Sequence, residues 1–250
     1  MPGNLKTKKV FLTGGAQGLG KSYVDGFLAE GATVVFGDIN GTVGAATEKE
    51  FAEKYGKHKV KFIKFDVTDG PKFEVVVVAV EVVVKCMCFQ FHTSQTGVVR
   101  GTFLAYKHMR KDKGGKGGRI INISSGFGLE NALLVPVYCG TKHAIRAFTS
   151  SLALAPDVKQ LGIEFGVVCP GPTDTDLLRH LDHTKVRHAH LITPDKLAAL
   201  MSPVDRIRCG LMKLVHLEEM NGAVLYVDRN EMNFYKMEKV NLGENWPRQD

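Results

Sequence analysis

The chain contains few cysteines and no long hydrophobic run, and both shortages narrow the classes of protein to which it can belong. Its five cysteines are odd in number and show neither a disulfide framework nor the paired spacing of a zinc site. This usage favours a reducing, cytoplasmic compartment. The N-terminus lacks the apolar stretch of a secretory signal. The most apolar run, Val75 to Phe89, contains Glu81 and Lys85 and is too short to span a bilayer, so we expect no membrane insertion.

The chain also lacks internal repeats and low-complexity linkers. Its 250 residues, 44% of them hydrophobic, suffice for a large core, and we expect one domain covering residues 1–250. Much of the net charge of +7 lies between Lys107 and Arg119, where basic residues alternate with glycines and not with aromatic residues. This pattern is typical of a solvated helix end and loop, so we expect no nucleic-acid partner.

Strand-like and helix-like segments alternate along the chain. Short runs rich in Val, Ile and Phe predict strands at Val10–Thr13, Thr33–Asp38, Lys59–Asp66, Arg119–Ser124, Ile163–Cys169 and Ala223–Val227. The segments between them predict helices at Lys21–Ala29, Val43–Tyr55, Gly97–Met109, Tyr138–Leu154 and Val204–Leu217. Such alternation predicts an α/β fold of Rossmann type, a three-layer αβα sandwich with a mostly parallel, doubly wound sheet. Ligands of such sheets bind beyond the carboxyl ends of the strands.

The region 70–93 is atypical of this alternation. Its β-branched content, from Phe73 to Phe89, suits a strand better than a helix.

A glycine-rich turn follows the first predicted strand and opens a helix. It runs Thr13-Gly14-Gly15-Ala16-Gln17-Gly18-Leu19-Gly20. Glycine is needed there because a Cβ would keep the backbone from approaching a pyrophosphate, and the helix N-terminus offers free N–H groups to that anion. The turn therefore predicts a dinucleotide site.

An acidic residue at the end of the second strand supports this interpretation. Asp38 lies eighteen residues after Gly20, where a carboxylate can accept hydrogen bonds from both adenosine ribose hydroxyls and would repel a 2′-phosphate. Gln17 stands in the glycine turn, which has no Arg or Lys to bind that phosphate. The pattern favours NAD over NADP. Asp66 and Val67 end the third strand and are placed to reach the adenine edge.

A tyrosine, a lysine and a serine form the candidate catalytic group. Tyr138 and Lys142 stand four apart, so they share one face of a predicted helix, and Ser125 ends a predicted strand thirteen residues before the tyrosine. For a tyrosine to act as a base near neutral pH, its pKa must fall from about 10 to about 7, which requires about 4 kcal/mol of preferential stabilisation of the phenolate. A solvated ion pair supplies at most about 1 kcal/mol. We therefore expect Lys142 to act in a dry site, with Ser125 bound to the substrate oxygen.

With these residues the chain resembles the short-chain dehydrogenase/reductase family over almost its whole length. The matching pieces are Thr13-Gly14-x-x-x-Gly18-x-Gly20, Asp66, Ser125, Tyr138-x-x-x-Lys142, and Pro170-Gly171 followed by Thr173 and Thr175. The resemblance implies that the tyrosine is the acid/base and that the lysine holds the nicotinamide ribose and lowers the tyrosine's pKa. It also implies that the serine orients the substrate and that Thr175 contacts the nicotinamide amide. The sequence around Tyr138 looks most like the branch of NAD-dependent hydroxyprostaglandin dehydrogenases and short-chain alcohol dehydrogenases. The resemblance also implies a homodimer or homotetramer built on the helices Gly97–Met109 and Tyr138–Leu154.

Three departures from the family pattern accompany this resemblance. The family's Asn-Asn-Ala-Gly motif is absent between Asp66 and Gly97. Ser94 aligns with an asparagine that supports the catalytic lysine through water. Val135 stands where the prostaglandin enzymes have a glutamine that helps to hold the substrate.

The segment after Pro170-Gly171 has two interpretations. Its histidines, among them His180, His183, His188 and His190, could bind a transition metal, but no second ligand pair stands elsewhere at metal spacing, and we expect no metal. The segment is better interpreted as a substrate lid at about residues 172–202, with an apolar lining from Leu177, Leu178, Leu181, Leu191 and Ile192.

These observations predict an NAD-dependent oxidoreductase that interconverts a secondary alcohol and a ketone on an apolar small molecule, such as a hydroxyprostaglandin-, steroid- or lipid-alcohol-like compound. The altered stretch before Gly97 leaves an alternative, a non-catalytic dinucleotide-binding or oligomer-forming relative. A third interpretation is that Val75 to Phe89 reflects an aberrant splice or gene model and that the chain folds poorly.

Overall fold

The computed structural model describes residues 5–78, 96–179, 188, 190 and 193–235. Seven strands and nine α-helices lie within these residues. The strands are β1 (Lys9–Thr13), β2 (Thr33–Asp38), β3 (Val60–Lys64), β4 (Gly118–Ile123), β5 (Ile163–Pro170), β6 (Ala223–Val227) and β7 (Met232–Tyr235). The helices are α1 (Gly18–Ala29), α2 (Gly41–Tyr55), α3 (Gly70–Val78), α4 (Gly97–Met109), α5 (Pro136–Ala153), α6 (Val158–Leu161), α7 (Asp176–Arg179), α8 (Pro194–Leu200) and α9 (Val204–Val215).

The described strands form two hydrogen-bonded sheets. β1, β2 and β3 pair in parallel in that order, and β4, β5 and β6 do the same, with β7 added antiparallel to β6. Parallel neighbours require a crossover, and helices supply it after β1, β2, β4 and β5. The carboxyl ends of the parallel strands within each sheet therefore meet at one edge.

Both faces of the strands are buried, which is the reason for a three-layer arrangement. Along β1, Val10 and Leu12 pack in a core cluster with α1 and α9, whereas Phe11 packs in a second cluster with α4. Successive side chains of a strand point to opposite faces, so helices must cover both sides. The first cluster also contains Ile121 and Ile123 of β4, which places the two sheets in one hydrophobic core.

The predicted α/β fold is confirmed, and the strands and helices predicted outside 70–96 are present with bounds that differ by a few residues. β7 was not predicted.

The preference for a strand from residue 73 is wrong for residues 73–78, which lie in α3. Asp69 begins this helix by accepting a hydrogen bond from the Lys72 N–H, and Phe73 is buried against Phe65 with 5.2 Å between the ring centroids. This packing outweighs the weak strand preference of valine. Ser94 and the place of the missing Asn-Asn-Ala-Gly motif lie outside the described residues.

The start and end of the predicted lid lie side by side. Thr173, just after β5, forms a parallel bridge with Ser202, just before α9. α7 and α8 lie between these two residues, and His180, His183, Leu181, Leu191 and Ile192 fall outside the described residues. Across the part of the chain that the structure describes, no helix is long and apolar enough to cross a membrane.

Candidate active site

The glycine turn after β1 is tight and leaves the N-terminus of α1 open. The N–H groups of Gly14 and Gly15 donate to the Gly37 carbonyl, and Gly14 adopts a φ of 71°, which side chains disfavour. A Cβ at Gly20 would overlap the carbonyl oxygen of Gly14. Gln17 precedes α1 and its side chain does not cap the helix, so the first N–H groups of α1 could bind an anion. Leu19 packs against the core from the first turn of α1.

Asp38, at the end of β2, is fixed by two backbone groups. One carboxylate oxygen accepts from the Ala16 N–H of the glycine turn at 3.1 Å, and the other accepts from the Asn40 N–H at 3.0 Å. These hydrogen bonds hold the carboxylate beside the turn. Each carboxylate oxygen can accept a further hydrogen bond from a ribose hydroxyl.

Asp66 and Val67 follow β3 and have different surroundings. One oxygen of Asp66 accepts from both the N–H and the hydroxyl of Thr68, so this carboxylate holds a local turn. Val67 packs against Val98 of α4 and Ile145 of α5. Through Val67, the end of β3 is joined to the helix that carries the tyrosine and the lysine.

Tyr138 and Lys142 lie next to each other on α5. The Lys142 nitrogen is 5.4 Å from the centroid of the Tyr138 ring, and the tyrosine is half-buried. The lysine side chain is fully buried, yet its nitrogen has no hydrogen-bond partner among the described residues. A buried ammonium without a partner is costly, so the N–H groups of this nitrogen could bind a polar ligand.

Ser125 comes directly after β4 and caps a short 3-10 turn, Gly126–Gly128, by accepting from the Phe127 N–H at 3.2 Å. Its neighbour Ser124 donates to the Lys142 carbonyl at 2.8 Å. The serine turn is therefore attached to the helix of Tyr138 and Lys142. We call Ser125–Gly128 the serine turn below.

The segment after β5 reaches the glycine turn. A Cβ at Gly18 would lie 3.7 Å from a methyl carbon of Thr175, which places this threonine against the start of α1. The Thr173 hydroxyl donates to the Gly171 carbonyl and the Thr175 hydroxyl donates to the Thr173 carbonyl, so both hydroxyls hold the loop after Pro170. We call Pro170–Thr175 the β5 loop below.

Three supporting interactions of the site were not predicted. The buried side-chain amide of Asn122 joins Thr102 of α4 and Thr149 of α5 to β4. The Arg146 guanidinium donates to the Gly128 carbonyl at 2.7 Å, which attaches the serine turn to α5 a second time. The sequence signal for Arg146 is its spacing, since it lies four residues after Lys142 and so shares its helix face.

Two buried cysteines lie near the site as packing residues. The Cys139 thiol donates to the Glu130 carbonyl and lies 3.5 Å from the His143 ring. Burial raises the pKa of Cys169 to about 12, so its thiol is not reactive at neutral pH.

Of the candidate metal-binding histidines, His188 and His190 lie within the described residues, with their rings 6.0 Å apart. No group of three or more His, Cys, Asp or Glu side chains able to hold a metal occurs in the described residues.

These groups fit a dinucleotide. The open helix N-terminus and the glycines would hold a pyrophosphate, Asp38 would hold the ribose hydroxyls of the adenosine end, and Lys142 would gain the partner that it lacks. The structure describes all the predicted site residues.

Comparison with known proteins identifies the family of the chain. A model described as short chain dehydrogenase matches residues 8–87 and 84–186. The chain is 31% identical to the 15-hydroxyprostaglandin dehydrogenase [NAD(+)] of Rattus norvegicus over 240 residues, which cover 88% of this chain and 90% of that protein. It is 28% identical to the diacetyl reductase [(S)-acetoin forming] of a Staphylococcus epidermidis strain over 202 residues, which cover 72% of this chain and 77% of the reductase. The crystal structure of gox2181 shares the fold, with a TM-score of 0.70 and 21% identity over 89% of this chain and 94% of that chain. The chain belongs to the short-chain dehydrogenase family.

Proposed function

We propose that the chain is an NAD-dependent dehydrogenase/reductase that interconverts a secondary alcohol and a ketone on an apolar small molecule. As a member of its family it is an oxidoreductase acting on CH–OH groups. The observation that carries the finer proposal is the buried ammonium of Lys142 beside Tyr138, which has no hydrogen-bond partner within the described part of the chain. NAD is proposed as the cofactor because Asp38 ends β2 and because the hydroxyprostaglandin dehydrogenases that the chain resembles are named for NAD(+).

The mechanism assigns one task to each side chain. Tyr138 takes the proton of the alcohol hydroxyl during oxidation and returns it to the ketone oxygen during reduction. The positive charge of Lys142 favours the phenolate, and its N–H groups would hold the nicotinamide ribose of a bound NAD. Ser125 donates a hydrogen bond to the substrate oxygen and orients it. The bound nicotinamide ring supplies the hydride acceptor or donor.

The surface around Tyr138 supports an apolar substrate. Val137, which precedes Tyr138 on α5, is 63% exposed, and Leu133 before α5 and Leu200 of the proposed lid are exposed as well. Exposed apolar groups beside a polar reactive centre are typical of sites for lipid-like ligands. We propose residues 172–202 as the lid of one dinucleotide-binding and catalytic domain that covers residues 1–250.

A two-stage assay tests the proposal. Calorimetry with NAD⁺ and NADP⁺ measures binding first, and turnover is then followed at 340 nm with NAD⁺ and a panel of hydroxyprostaglandin, steroid and aliphatic secondary alcohols. We expect NAD⁺ to bind at least tenfold more tightly than NADP⁺, and the variant Asp38→Asn, which removes the negative charge, to reduce that preference. Turnover of at least one alcohol is expected. NAD⁺ binding without any turnover would instead identify a non-catalytic dinucleotide-binding relative.

We further propose that the chain is a cytoplasmic homodimer or homotetramer. On α4, Val99 and Phe103 are exposed, and the Phe103 ring makes an edge contact with Phe148 of α5 at 5.7 Å. An apolar face shared by these two helices suits a contact between copies of the chain. Light scattering should show a defined oligomer, and Phe103→Glu should shift it toward monomer.

A further inference from the structure

Tyr226 touches two loops of the site at once. A Cβ at Gly126 of the serine turn would lie 3.0 Å from a ring carbon of Tyr226. A Cβ at Gly171 of the β5 loop would lie 3.3 Å from the Tyr226 hydroxyl oxygen. Both loops therefore have a glycine where they meet this side chain.

The Tyr226 side chain is itself fixed. Its hydroxyl donates to one carboxylate oxygen of Asp228 at 2.9 Å, while the other oxygen accepts from the N–H groups of Asn230 at 2.8 Å and Glu231 at 2.6 Å. Burial and this hydrogen bond raise the pKa of Tyr226, so its hydroxyl remains a donor at any physiological pH. The Asp228 carboxylate is thus a rigid acceptor that orients the ring.

The position of Tyr226 in the sheet places its side chain beside both loops of the site. Tyr226 pairs in register with Cys169, one residue before the end of β5, and therefore lies at the carboxyl edge where the site is built. The Gly171 N–H donates to the Val227 carbonyl at 2.8 Å, which joins the β5 loop to the strand that carries Tyr226. The serine turn reaches this strand through the contact at Gly126.

We infer that Tyr226, oriented by Asp228, is a positioning residue that sets the distance between the serine turn and the β5 loop. The serine turn carries Ser125, and the β5 loop carries the threonines proposed to face the nicotinamide end of NAD. Tyr226 touches neither substrate nor cofactor in this role. Of the two tests that follow, only the second, which measures NADH binding, rests on the proposed function.

The first test uses the chain without cofactor. Tyr226→Phe keeps the ring and removes the hydrogen bond to Asp228. Tyr55→Phe is the matched control, because Tyr55 donates to Asp25 at 2.8 Å on the distant pair α1 and α2. We expect amide hydrogen exchange in both the serine turn and the β5 loop to become about two- to tenfold faster in Tyr226→Phe and to stay unchanged in Tyr55→Phe, as the loss of one hydrogen bond implies. Unchanged exchange in either loop, or an equal increase in the control, would overturn the inference.

The second test separates the nicotinamide end from the rest of the cofactor. Calorimetry compares NADH with ADP-ribose, which lacks the nicotinamide. Tyr226→Phe should weaken NADH binding about two- to tenfold and leave ADP-ribose binding unchanged, whereas a general structural defect would weaken both. A wild-type chain that binds neither ligand would refute the proposed function, and the exchange experiment would still decide the role of Tyr226.

Discussion

The ammonium nitrogen of Lys142 lies 5.4 Å from the centroid of the Tyr138 ring, one turn further along α5. Its side chain is completely buried, so the charge acts in a poorly solvated environment. In such an environment a positive charge stabilises a nearby phenolate more strongly than it does in bulk water. A solvated ion pair supplies at most about 1 kcal/mol of the roughly 4 kcal/mol needed to bring a phenol to a pKa near 7. The burial of Lys142 is therefore the feature that supports the proposed acid/base role of Tyr138.

Replacing Tyr138 by phenylalanine should remove this chemistry and keep the fold. Tyr138→Phe is expected to lower kcat by a factor of about 10² to 10⁴, since positioned acid/base groups contribute about that much. NAD⁺ affinity measured by calorimetry should change little. Tyr106→Phe, which removes a phenol hydroxyl from α4, is the control and should keep full activity. Near-normal turnover by Tyr138→Phe would show that Tyr138 is not the acid/base of the reaction.

Lys142→Met should make the cofactor-free protein more stable. Burying a neutral polar group without a hydrogen bond costs about 1–3 kcal/mol and burying an ammonium costs more, whereas methionine fills a similar space without a charge. We expect Tm to rise by about 2–4 °C per kcal/mol gained, measured by scanning calorimetry without cofactor. NAD⁺ should then give a smaller further increase in Tm than it gives the wild type. Lys72→Met, which removes an exposed partner of Asp69, should change Tm little, and a lower Tm for Lys142→Met would contradict the prediction.

Two glycine-to-alanine variants should have opposite effects on stability. In Gly20→Ala the new methyl group overlaps the Gly14 carbonyl, so the glycine turn must distort, and we expect a loss of at least about 2 kcal/mol together with weaker NAD⁺ binding. Among the described residues, no atom beyond the chain neighbours and the nearby backbone of α5 lies within 4 Å of a Cβ added at Gly140. Gly140→Ala should therefore increase the free energy of unfolding by about 0.5–1 kcal/mol, as alanine does in helix interiors. Urea denaturation of both variants measures this contrast.

The Asp25 carboxylate should make stability depend on pH. It accepts from Lys54, Tyr55 and Arg208 and so joins α1, α2 and α9. Burial by itself would raise its pKa, but the hydrogen bonds from Lys54 and Tyr55 outweigh burial and lower the pKa below the usual 3.8. Because the pKa is lower in the folded state, this stabilisation is fully present above pH 3.8 and is lost as the pH falls through the folded-state pKa.

Asp25→Asn should therefore lower the free energy of unfolding by about 1–3 kcal/mol at pH 7. The difference from the wild type should shrink as the pH falls below about 4, as measured by urea denaturation across this range. Glu50→Gln, which alters the exposed pair with Lys21, should have a small effect at each pH. A difference from the wild type that stays constant down to pH 3 would contradict the assignment.

The local chemistry of the site could be predicted from the sequence because its residues act through short, fixed spacings. Tyr138 and Lys142 are four residues apart, and any helix there places them on one face. Asp38 ends a run of β-branched and aromatic residues, and Gly14, Gly18 and Gly20 follow another, so the alternation of strands and helices places them at one edge. These residues could be proposed from the sequence without any knowledge of contacts between distant parts of the chain.

The sequence by itself determined the α/β fold and the family and predicted the residues of the candidate site, since periodicity and turn chemistry are local properties. The tertiary structure alone decided that residues 73–78 form a helix, because the burial of Phe73 against Phe65 depends on contacts that no local preference contains. It also decided that the Lys142 nitrogen has no partner among the described residues and that Tyr226 lies between the serine turn and the β5 loop. Tyr226 is 101 positions from Ser125 in the printed sequence, and only the pairing of β6 with β5 brings its ring to the serine turn.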